Sequence, residues 1–154
     1  MLTQIIHDIQ KQYLDLVSPN YDFVTKLYNN CPYEDVLNEI AKSFKVKDDT
    51  DLNYDVSFVY YLSRDRTSYL LRLSMIGKYA TLVGRDSELI STSKSHDDLE
   101  IGLIFSILHK YNIMVLDSSI LLRPIKMKLF ATSDENVRIY QALFEDTDVI
   151  PFKP

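Results

Sequence analysis

Few residues in this chain are of the types that do covalent or proton-transfer chemistry, and those few stand apart. The 3 histidines, His7, His96 and His109, share no metal-ligand spacing with one another or with the single cysteine, Cys31, and no H-E-x-x-H occurs. His109 falls late in a helical pattern, where the helix dipole favours a cation. A surface or structural role is expected for all three. Cys31 precedes a helix start, a position that can favour a nucleophilic thiolate. No base stands near it in sequence, so a packed thiol is the expected role. Serines are plentiful, but neither G-x-S-x-G nor S-x-x-K is present. The 3 glycines, Gly77, Gly84 and Gly102, are too scattered to cradle a phosphate. This reading assigns no catalytic residue, no metal and no cofactor.

Carboxylates do cluster: Asp48, Asp49 and Asp51; Asp97, Asp98 and Glu100; Glu145, Asp146 and Asp148. The first group superficially suggests calcium, yet it lacks the alternating ligands, central glycine and distal glutamate of an EF-hand loop. Solvated turns and helix starts account for most such clusters. The chemistry left to them is attraction of a cationic partner. Tyrosine is the other unusual residue, with 11 Tyr and no Trp. It builds strands well, and it also suits interfaces, offering ring area and a hydroxyl at low entropy cost. Tyr60 and Tyr61 must point to opposite faces of one strand. Tyr61 shares its face with Asp55 and is expected to be exposed. The candidate partner-contact residues are therefore Asp97, Asp98, Glu145, Asp146, Asp148 and Tyr61.

The elements that would position them follow from periodicity. Leu2, Ile5, Ile6, Ile9, Tyr13 and Leu16 recur every three or four residues, a helix ending near Ser18-Pro19. Short helices are expected over 21–29 and after Pro32, the latter carrying Val36, Leu37, Ile40 and Phe44. Residues 45–53 are charged and turn-prone. From Tyr54 to Gly84 apolar and polar residues alternate as in an antiparallel meander, with turns at 64–67 and at Gly77. Ser95 and Asp98 suggest the cap of a broad-faced helix from Leu99 to Tyr111, stopped by Asn112. Ile113–Leu116 reads as a strand. Ile125, Met127 and Leu129, alternating with Lys126 and Lys128, read as a last edge strand. Thr132 and Glu135 suggest a capping box for a final helix. The whole is a single α+β domain over 1–154: an antiparallel sheet, one face covered, between N-terminal and C-terminal helices.

Composition narrows the function class. Hydrophobic residues at 46% and charged residues at 25% are an ordinary globular mix. With 17 Lys and Arg against 22 Asp and Glu, net charge -5, a phosphate-binding face is disfavoured and a basic protein partner favoured. A lone cysteine suits a reducing cytoplasm. The stretch MLTQIIHDIQKQY lacks the cationic start and continuous apolar run expected of a signal peptide, and no apolar run approaches the about 20 residues of a membrane span.

The stretch from Ile139 to Phe152 (Ile139-Tyr140-Gln141-Ala142-Leu143-Phe144-Glu145-Asp146-Thr147-Asp148-Val149-Ile150-Pro151-Phe152) reads as a helix, a Leu-Phe pair, an acidic turn and a proline followed by an aromatic. It resembles the ending of some small bacterial immunity proteins of contact-dependent inhibition and related polymorphic toxin systems. The closing aromatic here is Phe152 where tryptophan is expected. The resemblance implies a cytoplasmic inhibitor that covers the active site or substrate path of a cognate, basic toxin domain. Two other readings stay open: a secretion-effector chaperone or adaptor, and an enzyme whose site is assembled from dispersed residues.

Overall fold

The computed structural model describes residues 1–93 and 97–153. The chain runs α1 (Leu2–Tyr13), α2 (Asp22–Asn29), α3 (Glu34–Ile40), β1 (Lys45–Asp48), β2 (Ser57–Arg64), β3 (Thr67–Ser74), β4 (Tyr79–Val83), α4 (Leu99–Lys110), β5 (Met114–Val115), α5 (Ser118–Leu121) and α6 (Ile139–Leu143). The strands form one sheet in the order β1-β2-β3-β4-β5. The first four are antiparallel neighbours. β5 lies parallel to β4, with Tyr79 opposite Met114, and the sheet is therefore mixed. A parallel neighbour needs a long crossover, and α4 lies in that connection.

Alternation along β2 and β3 sets the two faces. Phe58, Tyr60 and Leu62 stand opposite Leu73, Leu71 and Tyr69, and Ala80 and Leu82 continue that face on β4. All eight are buried. Tyr28 and Tyr33 pack their rings on Phe58, and Glu100 of α4 accepts the Tyr69 hydroxyl, so α2, α3 and α4 lie over this side. The opposite face carries Ser57, Arg72, Ser74, Tyr79 and Thr81, also buried. α1 and α6 cover it. Asp8 accepts the Tyr79 hydroxyl at 2.6 Å, and Ser57 and Ser74 donate to the carbonyls of Phe144 and Leu143. Both faces are thus covered where one was expected. Ser57 and Ser74 sit in the second interface as donors to the carbonyls that end α6, the Phe144 carbonyl also taking the Val56 N–H.

Several local expectations are corrected. The first meander strand begins at Ser57, not Tyr54, because the N–H groups of Tyr54 and Asp55 both turn back to the Asp51 carbonyl. The charged run after Phe44 holds an edge strand, β1, whose one apolar residue, Val46, gives too little alternation to reveal it. The edge lysines are Lys45 and Lys47. Residues 125–129 keep their alternation, Met127 and Leu129 buried, but form no ladder. Their N–H groups go to loops instead, Ile125 to the Val137 carbonyl and Lys128 to that of Leu16. α1 ends at Tyr13, with Leu14 at φ 66°. Thr132 does not cap a helix: residues 134–136 make a 3-10 turn, and α6 starts where Gln141 Oε1 accepts the Arg138 N–H. Ser95 and His96 lie outside the described residues. Asp98 caps α4, accepting from the N–H groups of Glu100 and Ile101. Gly77 has no positive φ; its missing Cβ leaves room for the Tyr79 ring, which a Cβ would meet at 2.6 Å.

Candidate partner-binding surface

The sheet face under α1 and α6 is not covered along its whole length. Toward the end of β2, Ser63 is half-buried and Tyr61 is 44% exposed. Here Tyr61, Ser68, Leu70, Val83, Gly84 and Pro151 line a hollow of about 190 Å³. Tyr69, Gly84 and Arg85 are shared with a second hollow, of about 330 Å³, which reaches Asp86, Glu88, Asp98 and Ile101. One surface thus runs from an exposed tyrosine to the N-terminus of α4. Its charged lining is three carboxylates to one cation, Arg85. Tyr69 beneath it is pushed up to about 12, first by burial and then by the Glu100 carboxylate that its hydroxyl meets.

The structure therefore joins Tyr61 and Asp98, far apart in sequence, through a shared wall. Asp97 is exposed next to Asp98. Sequence reasoning missed Asp86 and Glu88. The 85–88 turn had no pattern to distinguish it, and bonds back to β4 and to the C-terminal tail, Gly84 N–H to the Glu88 carbonyl and Leu89 N–H to that of Lys153 among them, fix where those carboxylates stand.

The third acidic cluster divides. Asp148 is exposed, and the Asn136 amide, with the Ser133 N–H and hydroxyl, holds its carboxyl below the usual range. Glu145 is half-buried and is turned inward. It pairs with Arg72 Nη2 at 3.2 Å and accepts the Tyr140 hydroxyl. Arg72 also donates to Asp55 at 2.8 Å. Burial pushes the Asp55 carboxyl up, against the pull of the Asp51 N–H and of Arg72. Asp146 is corrected as a surface contact: it is 3% exposed. Its carboxylate accepts from the Phe130 N–H at 2.9 Å, the Ala131 N–H, the Thr132 hydroxyl at 2.7 Å and the Tyr21 hydroxyl at 3.0 Å. Every partner is a donor, so both carboxylate oxygens serve as acceptors. Its job is to hold the 130–132 loop, and nothing in a one-dimensional run of acids distinguishes it from Asp148.

The groups considered for chemistry stay dispersed. His7 and His109 are exposed, and Cys31 Sγ has the Tyr60 hydroxyl at 3.9 Å. Among the described residues, no group of three or more His, Cys, Asp or Glu is placed to hold a metal. Among them also, no helix is long and apolar enough to cross a membrane.

Fold and surface together define a single α+β domain with a mixed five-stranded sheet, open at one corner onto an acidic, tyrosine-bearing hollow. Compared with known proteins, the chain matches no protein-family model, no curated protein and no solved structure.

Proposed function

We propose that this chain is a cytoplasmic protein-binding domain that neutralises a cognate basic toxin domain, an immunity protein of a contact-dependent or polymorphic toxin system. The observation that carries this reading is the surface from Tyr61 to Asp98, where exposed ring and aliphatic area adjoins three carboxylates. Such a surface has the two parts a fast, durable complex needs. The carboxylates steer a cationic partner and raise the association rate. Tyr61, Leu70 and Pro151 offer the apolar area that slows dissociation. Inhibition follows by covering the toxin's active site or substrate path.

The resemblance of the 139–152 stretch adds support of a different kind. Ile139, Tyr140, Ala142, Leu143, Phe144 and Phe152 are all buried, with Phe152 edge-on to Tyr140 at 5.1 Å. In this chain the stretch closes the domain over the sheet, so the resemblance bears on the fold of this ending and names no contact residues.

Native co-purification from the source organism, with the retained proteins identified by mass spectrometry, tests the proposal. A basic domain, harmful when expressed alone, is the expected catch. Association with it should slow about tenfold, and lose salt sensitivity, when Asp86, Glu88 and Asp97 are reversed to lysine together. Asp98 is left intact in that variant because its side chain caps α4. Retention of a secreted effector without toxicity would support the chaperone reading. Association rates unchanged by the reversal would remove the steering surface.

A further inference from the structure

A second depression, away from that surface, has a more specific chemistry. It measures about 310 Å³ and is walled by the rings of Tyr21, Tyr54 and Phe130 and by Leu52, with Asp146 and Asp55 among its lining. Three observations set it apart.

The first is exposure. Phe130 is 89% exposed, Tyr54 49% and Leu52 43%, three large apolar groups on one rim. The second is rigidity, and it comes from one residue. Asp146 takes the Tyr21 hydroxyl and the Phe130 N–H on its carboxylate and gives its own N–H to the Tyr54 carbonyl at 2.7 Å. Tyr21 is thus held through its hydroxyl, and Phe130 and Tyr54 through their backbone, on the same buried residue, which fixes the backbone of the rim. The third is charge. None of the ten lining residues is Lys, Arg or His. Asp55 is met by Arg72, but among the described residues no cation lies within ion-pair distance of Asp146. The partners of its carboxylate are all neutral donors.

Aromatic residues in a pocket whose only charged lining residues are two carboxylates attract a cation through the ring quadrupoles and through the charge itself. We propose that this pocket receives one arginine or lysine side chain of the protein partner, its alkyl stem along Leu52 and Tyr54 and its charged head between the rings over Asp146. The rim argues for a side chain on a protein rather than a free small cation: a partner's backbone would cover the exposed Phe130 and Leu52, which a lone cation would leave in water. This inference rests on the reading of the chain as a binder of a basic protein and adds a defined contact to it.

Titration of the full, isotope-labelled chain with Nα-acetyl-arginine methylamide, followed by amide NMR shifts, tests it with a known probe. Expected are saturable shifts confined to residues 21–25, 52–56 and 130–132. The neutral isostere, Nα-acetyl-citrulline methylamide, should leave those amides in place. Phe130→Ala should weaken the arginine probe by about three- to thirtyfold, the range of a cation–π contact, and Phe130→Tyr should restore it. Because Phe130 is exposed, the rest of the Phe130→Ala spectrum should match the parent and show the fold intact. No shifts at these amides, equal shifts with citrulline, or full binding by Phe130→Ala would each overturn the proposal. Tetramethylammonium binding as well as the arginine probe would overturn the choice of a side chain. The two readings fail separately. A captured toxin domain that binds Phe130→Ala and Tyr54→Ala at parental affinity removes the pocket and leaves the immunity function. Arginine-specific shifts with no basic protein captured leave the pocket and remove the function.

Discussion

Asp146 has the largest local consequence of any carboxylate here. Four donors converge on it, from Tyr21 and from three successive residues, Phe130, Ala131 and Thr132. Asp146→Asn keeps the shape but replaces one acceptor oxygen by an amide donor facing donors. Leaving a buried donor unmatched costs about 1–3 kcal/mol, and charge-assisted bonds are the stronger kind. The variant should lose about 2–4 kcal/mol of stability in urea unfolding, against a near-zero change for Asp97→Asn on the surface. A loss below 0.5 kcal/mol, on the order of a surface substitution, would mean that the loop is held by something else. From sequence, Asp146 and Asp148 look alike, two acids in one turn. Their roles separate only when the 130–132 loop, 14 to 16 residues earlier, folds back onto one of them. Tyr61 was legible, because strand alternation alone assigns it to the less covered face.

At the scale of elements, the close contact between the β3–β4 turn and α1 is the sharpest constraint. A Cβ on Gly77 would lie 2.6 Å from Tyr79 Cε2 and 3.2 Å from an Asp8 carboxylate oxygen. Neither can retreat freely, since the Tyr79 hydroxyl is bonded to that same Asp8. Gly77→Ala should therefore cost about 1–3 kcal/mol, the range of overpacking, where Gly102→Ala, open to solvent in a helix, should stabilise by about 0.5–1 kcal/mol. Matched melting curves of the two variants decide it; a Gly77→Ala as stable as the parent would contradict the contact. The long elements were legible for plain reasons. α1 and α4 have clear helical periods, and β2 and β3 a clear strand period. What escaped were elements defined by partners and not by their own pattern: β1, an edge strand with one apolar residue, and the ladderless 125–129 segment; the final helix was expected, but its start moved to Ile139, where Gln141 accepts the Arg138 N–H.

For the molecule as a whole, tyrosine hydroxyls tie the layers together. Tyr13 donates to the Ala142 carbonyl between α1 and α6, and Tyr33 to the carbonyls of Ser74 and Gly77. Burial raises the pKa of Tyr13, Tyr33, Tyr60 and Tyr140 above the ordinary value. For an acid raised in the folded state, stability is complete below the unfolded value, about 10, and falls as pH climbs from there toward the folded value. Alkaline loss of native circular dichroism should thus coincide with a late, cooperative rise in tyrosinate absorbance; reversible titration of all 11 tyrosines near pH 10 with the fold retained would contradict it. Composition and net charge already pointed to an acidic chain, with 22 Asp and Glu against 17 Lys and Arg. The site itself was only half legible, because the carboxylates beside Tyr61 come from the β4–α4 connection and the aromatic rim is gathered by one buried acid. The central claim is neutralisation of a basic toxin domain, and growth tests it most directly. Cells expressing the captured basic domain should stop growing, and should recover when this chain is co-expressed but not when it carries lysine at Asp86, Glu88 and Asp97 with alanine at Tyr61. Continued arrest in the presence of the parent chain would contradict the account.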